Sequence, residues 1–232
     1  MVMGEVIHFI VVNINGLAYT TSVVQDLMAQ TSSFLATIYD QASVEPGTGE
    51  FLATLQPPFD VVQNEINIGL NRLWNRHYEV TNAPYMCFLN NDVKIPTNFV
   101  EDTVAVLDAE PTVGCVIHST NHPDYRECGP LQYVIKHGPL VQGWDFTLRR
   151  EAYYPIPDDL DTFGGDDYLF SKLHKHGWKV AVLLSSPIIH YYARSRRYFT
   201  GSRHEESRNY LKHGFRKLHV CPYSRRYPPR GT

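Results

Sequence analysis

The stretch YMCFLNNDV at residues 85–93 joins an apolar strand to an abrupt polar end. Its first five residues are typical of a strand covered on both faces. An Asn-Asn-Asp sequence ending at Asp92 follows directly, and Pro96 stops the strand soon afterwards. Ligands of open α/β sheets bind at the carboxyl ends of the strands, where a carboxylate can hold a cation and its diphosphate. An Asx-rich turn without a ligand would contain the same residues. The rest of the sequence is therefore needed to distinguish a ligand site from a simple turn.

Apolar strands and amphipathic helices alternate on both sides of this stretch. The pattern predicts further strands at 6–14, 34–39, 51–55, 59–63, 113–118, 131–136, 143–148, 180–184 and 187–191. It predicts helices at 20–30, 64–78, 98–109, 168–176 and 202–213. Such alternation is typical of an α/β fold with a doubly wound, mostly parallel sheet flanked by helices.

Polar residues stand at or just beyond the ends of the predicted strands. They are Asn13 and Asn15, Asp40, Asn64 and Asn67, and the segment 90–92. Because the carboxyl ends of parallel strands share one edge of the sheet, these side chains are expected to converge. Unrelated turns would have no reason to converge, so the pattern favours a ligand site in the N-terminal half.

Phosphate-binding motifs of two large enzyme classes are missing from the sequence. No GxGxxG follows the first strand, and no GxxxxGK[ST] occurs. A dinucleotide-dependent hydride-transfer enzyme and a P-loop NTPase are therefore disfavoured. A bound diphosphate would need a cation, or basic residues, to neutralise its charge.

Composition is that of a globular protein of 232 residues, 43% hydrophobic and 19% charged, with a net charge of −3. We expect a cytoplasmic protein, since no signal-like N-terminus and no membrane-spanning apolar run occurs. Four scattered cysteines without a CxxC motif favour free thiols over disulfides or a zinc site. Basic residues concentrate at the end: residues 194–232 hold eleven Lys and Arg against two Glu.

Six short motifs, in this order, resemble the inverting GT-A glycosyltransferases of family 2, particularly small rhamnosyltransferase-like members. The resemblance runs from about residue 6 to residue 190. The motifs are Val11-Val12-Asn13, Ile38-Tyr39-Asp40-Gln41-Ala42-Ser43, Asn64 to Asn71, Leu89-Asn90-Asn91-Asp92, Gly165-Asp166-Asp167 and His190. Asn90 replaces the first carboxylate of the family's DxD, Asp166-Asp167 replaces Glu-Asp, and Glu45-Pro46 replaces an Asp.

The resemblance implies transfer of a sugar from a nucleoside-diphosphate sugar (UDP-, GDP- or dTDP-linked) to a saccharide, glycan or glycosylated acceptor. It implies a catalytic base at Asp166 or Asp167, and Mn²⁺ or Mg²⁺ held by Asp92 and His190. The residues implied for nucleotide-sugar binding are Asn13, Asn15, Asp40, Asn67, Asn71, Asn91 and Arg194. Acceptor binding is expected at Trp144 and Gly165. The alternative for Trp144 is that its side chain packs in the hydrophobic core.

The residue types fit this chemistry independently of the resemblance. A cation offsets charge on a leaving diphosphate, and a carboxylate takes the proton of an acceptor hydroxyl. Adjacent Asp166 and Asp167 repel each other, which raises the pKa of one and makes it a better base. Both residues would also serve as ordinary caps of the helix that follows.

Two other functions fit parts of the chain. The basic, Tyr-containing tail would suit a polyanion, although no nucleic-acid motif occurs and nucleic acid is disfavoured as a partner. A sugar nucleotidyltransferase would share the sheet architecture but lacks its Gly-rich, basic loop after the first strand. We expect one domain: a nucleotide-sugar half at 1–118, an acceptor and catalytic half at 119–192, and a basic tail at 193–232.

Overall fold

The computed structural model describes residues 6–120, 130–137, 142–191 and 212–213. The strands in these ranges are β1 (Ile7–Asn13), β2 (Leu35–Gln41), β3 (Phe59–Asn64), β4 (Tyr85–Asn90), β5 (Val93–Lys94), β6 (Val113–Thr120), β7 (Tyr133–Lys136), β8 (Asp145–Arg149) and β9 (Lys179–His190). The helices are α1 (Leu17–Met28), α2 (Thr48–Ala53), α3 (Leu70–Val80), α4 (Phe99–Ala109) and α5 (Gly165–Lys175). Arg194 and most of the helix predicted at 202–213 lie outside the described residues.

The strands form one sheet in the order β3-β2-β1-β4-β8-β6-β9, with β5 and β7 also paired to β9. Neighbouring strands from β3 to β4 run parallel, as do β6 and β9. β8 runs antiparallel between β4 and β6. The predicted α/β fold with a central sheet of mostly parallel strands is confirmed. Each antiparallel pair contains β8 or β9, which belong to the C-terminal half of the chain.

Helices cover both faces of the sheet. Alternate residues of each central strand point to opposite faces, so Cys87 and Leu89 pack with α1, α2 and α4, whereas Met86 and Phe88 pack with α3 and α5. The helices present matching apolar stripes, such as Val23, Val24 and Leu27 of α1 or Leu169, Phe170 and Leu173 of α5. Both faces of β1 and β4 are thus buried, which explains why their sequences are mostly apolar.

The predicted strand at 51–55 is wrong, because these residues belong to α2 and the turn after it. Gly47 adopts a left-handed conformation (φ 84°) directly before α2 and allows the helix to begin there. Apolar residues at 51, 52 and 55 also suit one helical turn, and a run this short does not distinguish the two structures.

The predicted strands at 180–184 and 187–191 are instead the single strand β9. Its pairing with β6 is irregular between His118 and Thr120, where the partner shifts from Leu183 to Ile188. That irregularity accommodates Ser185, Ser186 and Pro187, the residues that interrupt the apolar pattern in the sequence. β9 then continues to pair with β5 and carries His190 to the carboxyl edge.

Arg149 ties β8 to the end of α4. Its guanidinium donates to the backbone oxygens of Leu107, Glu110 (3.3 Å) and Val113 (2.8 Å). Replacing Arg149 by Met keeps the apolar stem but removes these charge-assisted hydrogen bonds, so we expect a loss of roughly 2–3 kcal/mol in the free energy of unfolding. Urea denaturation measures the change. The matched variant Lys175→Met, on the exposed surface, should change stability by less than about 0.5 kcal/mol, and equal values for the two variants would contradict the assignment.

His8 and His77 form a buried pair near the amino-terminal edge of the sheet, opposite the edge that carries the polar strand ends. Their rings lie 4.3 Å apart, and His8 bonds the hydroxyls of Thr37 (2.9 Å) and Thr81 (2.8 Å). Burial, with His8 adding repulsion, lowers the pKa of His77 to about 3. The unfolded chain therefore binds more protons below the ordinary histidine pKa, and the folded state loses stability as pH falls.

We expect the free energy of unfolding to fall by about 1.4 kcal/mol per pH unit below about pH 6.5 on account of His77 alone. Urea denaturation at pH 7.5 and 5.0 measures this slope. His77→Gln should flatten it, and the exposed control His174→Gln should leave it unchanged. An unaltered slope in His77→Gln would refute the prediction.

Candidate functional site

Asn13, Asp40 and Ser43 form a hydrogen-bonded cluster at the ends of β1 and β2. Asp40 Oδ1 accepts from Asn13 Nδ2 and from Ser43 Oγ, each at 2.6 Å, and its Oδ2 accepts from the Ser43 backbone at 3.2 Å. Asn13 and Asp40 are buried. The carboxylate is therefore held in one orientation by neighbours from both strands.

Asn15 shapes the loop that follows β2. Its Oδ1 accepts from the backbone N–H groups of Val44 (2.7 Å) and Glu45 (2.9 Å), and its own N–H donates to Ser43 Oγ (2.8 Å). Glu45 Oε2 accepts from the Leu17 N–H at 2.8 Å, which places a carboxylate at the start of α1. Hydrogen bonds thus join the loops after β1 and β2 at the carboxyl edge of the sheet.

Asn91, the residue directly after β4, joins this cluster. Its Nδ2 donates to Thr20 Oγ1 at 3.0 Å, and Thr20 Oγ1 donates to Asn13 Oδ1 at 2.8 Å. A Cβ at Gly16 would stand 2.7 Å from Asn91 Nδ2, so a side chain at this position would displace the Asn91 amide. The predicted convergence is observed for Asn13, Asn15, Asp40 and Asn91, whereas Asn64 lies beside this cluster and donates to the Gln41 side chain at 3.1 Å.

Asn67 and Asn71 take different positions from that cluster. Asn67 is exposed and its Oδ1 accepts from the Gly69 N–H at 3.0 Å, in the turn before α3. Asn71 is buried, and its Nδ2 donates to the Leu160 carbonyl at 3.0 Å. A Cβ at Gly165 would stand 2.0 Å from Asn71 Oδ1, so Asn71 and Gly165 lie against each other where α3 meets the start of α5.

Asp92 and His190 meet at the same carboxyl edge. The distance from Asp92 Oδ1 to His190 Nε2 is 3.3 Å, and both side chains are buried. Antiparallel pairing of Val93 with His190, and a 2.8 Å bond from the Tyr191 N–H to the Asp92 carbonyl, fix the two backbones side by side. The predicted pair is therefore assembled by β5 and β9.

The Asp92 and His190 atoms suit two neighbouring ligands of one cation. Ligands at about 2.1 Å from a cation, at right angles, lie about 3 Å from each other, close to the observed separation. Among the residues that the structure describes, no three His, Cys, Asp or Glu side chains form a metal-binding group. A bound diphosphate can supply further oxygen ligands to such a cation.

Trp144 lies against His190. The two rings stack with centroids 4.9 Å apart and planes inclined by 21°. The Trp144 carbonyl accepts from the Asn90 N–H at 2.9 Å. The residue is half-buried, so one part of the indole packs on the imidazole while the side chain keeps some exposure at the edge.

Asp166 stands in the first turn of α5, after Gly164 in a left-handed conformation (φ 78°). Its Oδ2 would be 2.5 Å from a Cβ at Gly143, so the carboxylate lies directly against the residue before Trp144. The surrounding protein removes water from the carboxyl group and, with repulsion from Asp167, raises the pKa of Asp166 to about 6. The helix N-terminus opposes this rise, but burial prevails.

The structure thus brings three predicted groups together: the Asp40 cluster, the Asp92–His190 pair, and Asp166 beside Trp144. Sequence reasoning left out Thr20, which bridges Asn13 and Asn91, and assigned no site role to Ser43. Ser43 belonged to a recognisable motif, whereas a threonine in the first turn of a helix gives no local signal. None of the helices in the described ranges is long and apolar enough to cross a membrane.

Comparisons with known proteins agree with this architecture. The family model of glycosyl transferase family 2 matches residues 9–165. Comparison with curated protein sequences gave no significant match. Similar solved structures include GalNAc-T7 with UDP, GalNAc and Mn²⁺, at 14% identity and a TM-score of 0.71, over 89% of this chain and 47% of that one.

Two further structures have the same fold. The mannosyltransferase PcManGT from Pyrobaculum calidifontis, with GDP-Man and Mn²⁺, has 16% identity and a TM-score of 0.65, over 82% of this chain and 57% of that one. S. aureus TarS with UDP-GlcNAc has 14% identity and a TM-score of 0.66, over 87% and 63%. The chain spans about half to three-fifths of the length of these proteins. Because the family model covers more than half of its residues, the chain belongs to glycosyl transferase family 2.

Proposed function

We propose that this protein transfers a sugar from a nucleoside-diphosphate sugar to an acceptor hydroxyl, with the help of a divalent cation and with inversion at the anomeric carbon. The observation that carries the proposal is the arrangement around Trp144. Trp144 stacks on His190, which pairs with Asp92, while the adjacent Gly143 contacts Asp166. A cation-binding pair and a carboxylate of raised pKa therefore flank one short segment, at the edge where α/β sheets bind ligands.

The cluster of Asn13, Asp40 and Ser43 is our candidate for the nucleoside. Fixed carboxylate and amide groups can read the polar edge of a base or a ribose hydroxyl, because their orientation costs no entropy on binding. Asn15 and Asn91 complete the walls of this site. The similar structures contain UDP, UDP-GlcNAc or GDP-Man, which supports a nucleotide-sugar donor. Asn67, Asn71 and Arg194 remain predicted donor-binding residues.

Asp92 and His190 are our candidates for holding the cation. A carboxylate suits Mg²⁺ and Mn²⁺ alike, whereas an imidazole ligand is better suited to a transition metal. We therefore favour Mn²⁺, which is present in two of the similar structures. When bound, the cation would neutralise charge that develops on the leaving diphosphate.

Asp166 is our candidate for the catalytic base. A base works best when its pKa lies near the working pH, and burial together with Asp167 raises the pKa of Asp166 to about 6. Its carboxylate would take the proton of the acceptor hydroxyl as that oxygen attacks the anomeric carbon. Attack from the side opposite the leaving diphosphate inverts the configuration of that carbon.

Trp144 and Gly165 are our candidates for the acceptor side. The half-buried indole offers an apolar face to a sugar ring, and a ring bound there would lie near His190 and the leaving group. Gly165 lies directly before Asp166 and packs on Asn71. An acceptor saccharide or glycan would then have its hydroxyl within reach of the carboxylate.

Donor turnover tests the proposal. The protein is incubated with UDP-, GDP- and dTDP-linked sugars and Mn²⁺ in the presence of saccharide acceptors, and released nucleoside diphosphate is measured by chromatography. Release with one nucleotide, and a product of inverted anomeric configuration by NMR, would support it. Pyrophosphate release from a nucleoside triphosphate, or only salt-sensitive binding to nucleic acid, would replace it with another function.

A further inference from the structure

A buried ionisable pair lies where β6 meets β8. His118 and Asp145 are fully buried. Asp145 Oδ2 accepts from the His118 backbone N–H at 3.0 Å and is 2.8 Å from its Nδ1. Neither residue reaches the surface, so neither can contact a substrate. Such a pair gains little net stability over apolar residues of the same size, which calls for another reason for its presence.

Neighbouring side chains complete the hydrogen bonds of this pair. Thr103 Oγ1 lies 3.2 Å from His118 Nε2, and the Phe99 ring stacks on the imidazole with centroids 3.9 Å apart. Gln142 Nε2 donates to the His118 carbonyl at 3.0 Å and also to Asp145 Oδ1. The pair is thus fixed to α4 on one side and to Gln142 on the other.

The segment held by this cluster is Gly143–Trp144. Gln142 precedes it and Asp145 follows it, so both ends are anchored to the same buried group. Gly143 is the residue against which Asp166 packs, and Trp144 is the residue that stacks on His190. A displacement of Asp145 would therefore be passed directly to both groups.

We infer that the Asp145–His118 pair is a positioning device that fixes Gly143–Trp144 and, through Trp144, sets the orientation of His190 toward the cation. The assignment of the cation rests on the proposed function, whereas the geometry of the segment does not. Residues outside the ligand shell that orient metal ligands typically change metal affinity by about 10–100-fold when they are lost. We expect about a tenfold effect for Asp145, since it acts through one intervening residue.

Two variants at Asp145 and one control test this inference. Asp145→Asn keeps an oxygen for the His118 N–H but loses the charge, and Asp145→Ala removes both. The control His77→Gln perturbs a different buried histidine, away from the site, and should lower stability without touching Trp144. Trp144→Phe identifies the indole ¹H–¹⁵N resonance of Trp144.

Two readouts separate positioning from a general loss of stability. The indole resonance of Trp144 is recorded in ligand-free protein, and the Kd for Mn²⁺ in the presence of UDP, GDP or dTDP is measured by electron paramagnetic resonance. We expect Asp145→Asn to shift the resonance and raise the Kd about tenfold, Asp145→Ala to do both more strongly if it folds, and His77→Gln to do neither.

An unshifted resonance in folded Asp145→Asn would overturn the inference, as would a shifted resonance with a Kd within twofold of the original. Equal effects of His77→Gln on both readouts would also overturn it, because they would reduce the role of Asp145 to general stability. If the unaltered protein binds none of the three nucleotides with Mn²⁺, the proposed function fails. The ligand-free resonance still tests whether the pair holds Trp144.

Discussion

Replacing Asp166 by asparagine should slow sugar transfer by about a thousandfold, within the range that general-base catalysis contributes. The asparagine amide has nearly the same shape and still fits beside Gly143, but it cannot accept the proton of the acceptor hydroxyl. Donor binding depends on other residues, so we expect the KM for the donor to change little. Steady-state kinetics with saturating acceptor measures the two effects separately.

The pH dependence of transfer distinguishes Asp166 from its neighbour. A base must be ionised to act, so kcat should rise as the pH increases through about 6, the pKa of Asp166, and then level off. Asp167→Asn removes a neighbouring negative charge and should shift this rise to lower pH while retaining much of the activity. Loss of activity in Asp167→Asn, with Asp166→Asn fully active, would show that Asp167 is the base.

Replacing Asp92 by alanine should abolish the Mn²⁺-dependent part of nucleotide binding. Asp92 would supply the carboxylate ligand, and His190 alone would leave the cation held mainly by the diphosphate. We expect the Kd for the nucleotide in the presence of Mn²⁺ to rise by at least about a hundredfold, which corresponds to about 2.7 kcal/mol. Calorimetric titration with UDP, GDP or dTDP and Mn²⁺ measures this change.

A matched carboxylate provides the control for Asp92. Asp108 accepts a hydrogen bond from the Tyr85 hydroxyl at the opposite, amino-terminal end of β4. Asp108→Asn should therefore leave Mn²⁺-dependent binding unchanged. If Asp92→Ala keeps the metal dependence of the original protein, the cation is held elsewhere and the assignment of this pair is wrong.

The parallel half of the fold and the Asp40 cluster could be predicted from sequence because their signals are local. An unbroken apolar run such as residues 85–89 identifies a strand covered on both faces. Parallel strands bring their carboxyl ends to one edge, so the convergence of Asn13, Asp40 and Asn91 followed from the strand assignments alone. The pairing of Asp92 with His190 followed from the order of family motifs.

Other features depend on contacts between distant residues and leave no local pattern. The continuity of β9 through Pro187 depends on an irregularity in its pairing with β6. The Asp145–His118 pair joins residues of two strands that the sequence does not show to be neighbours. Likewise, nothing in the sequence around Asn71 indicates that its amide would bond the Leu160 carbonyl and pack against Gly165.

Calorimetric titration of UDP, GDP and dTDP, each with and without Mn²⁺, tests the central claim most directly. The account predicts that one of the three binds in the presence of Mn²⁺ and at least about a hundredfold more weakly in its absence. Such a result would also identify the nucleotide of the donor. Absence of binding by all three with Mn²⁺ present, or binding that does not depend on the metal, would contradict a metal-dependent nucleotide-sugar site at this edge of the sheet.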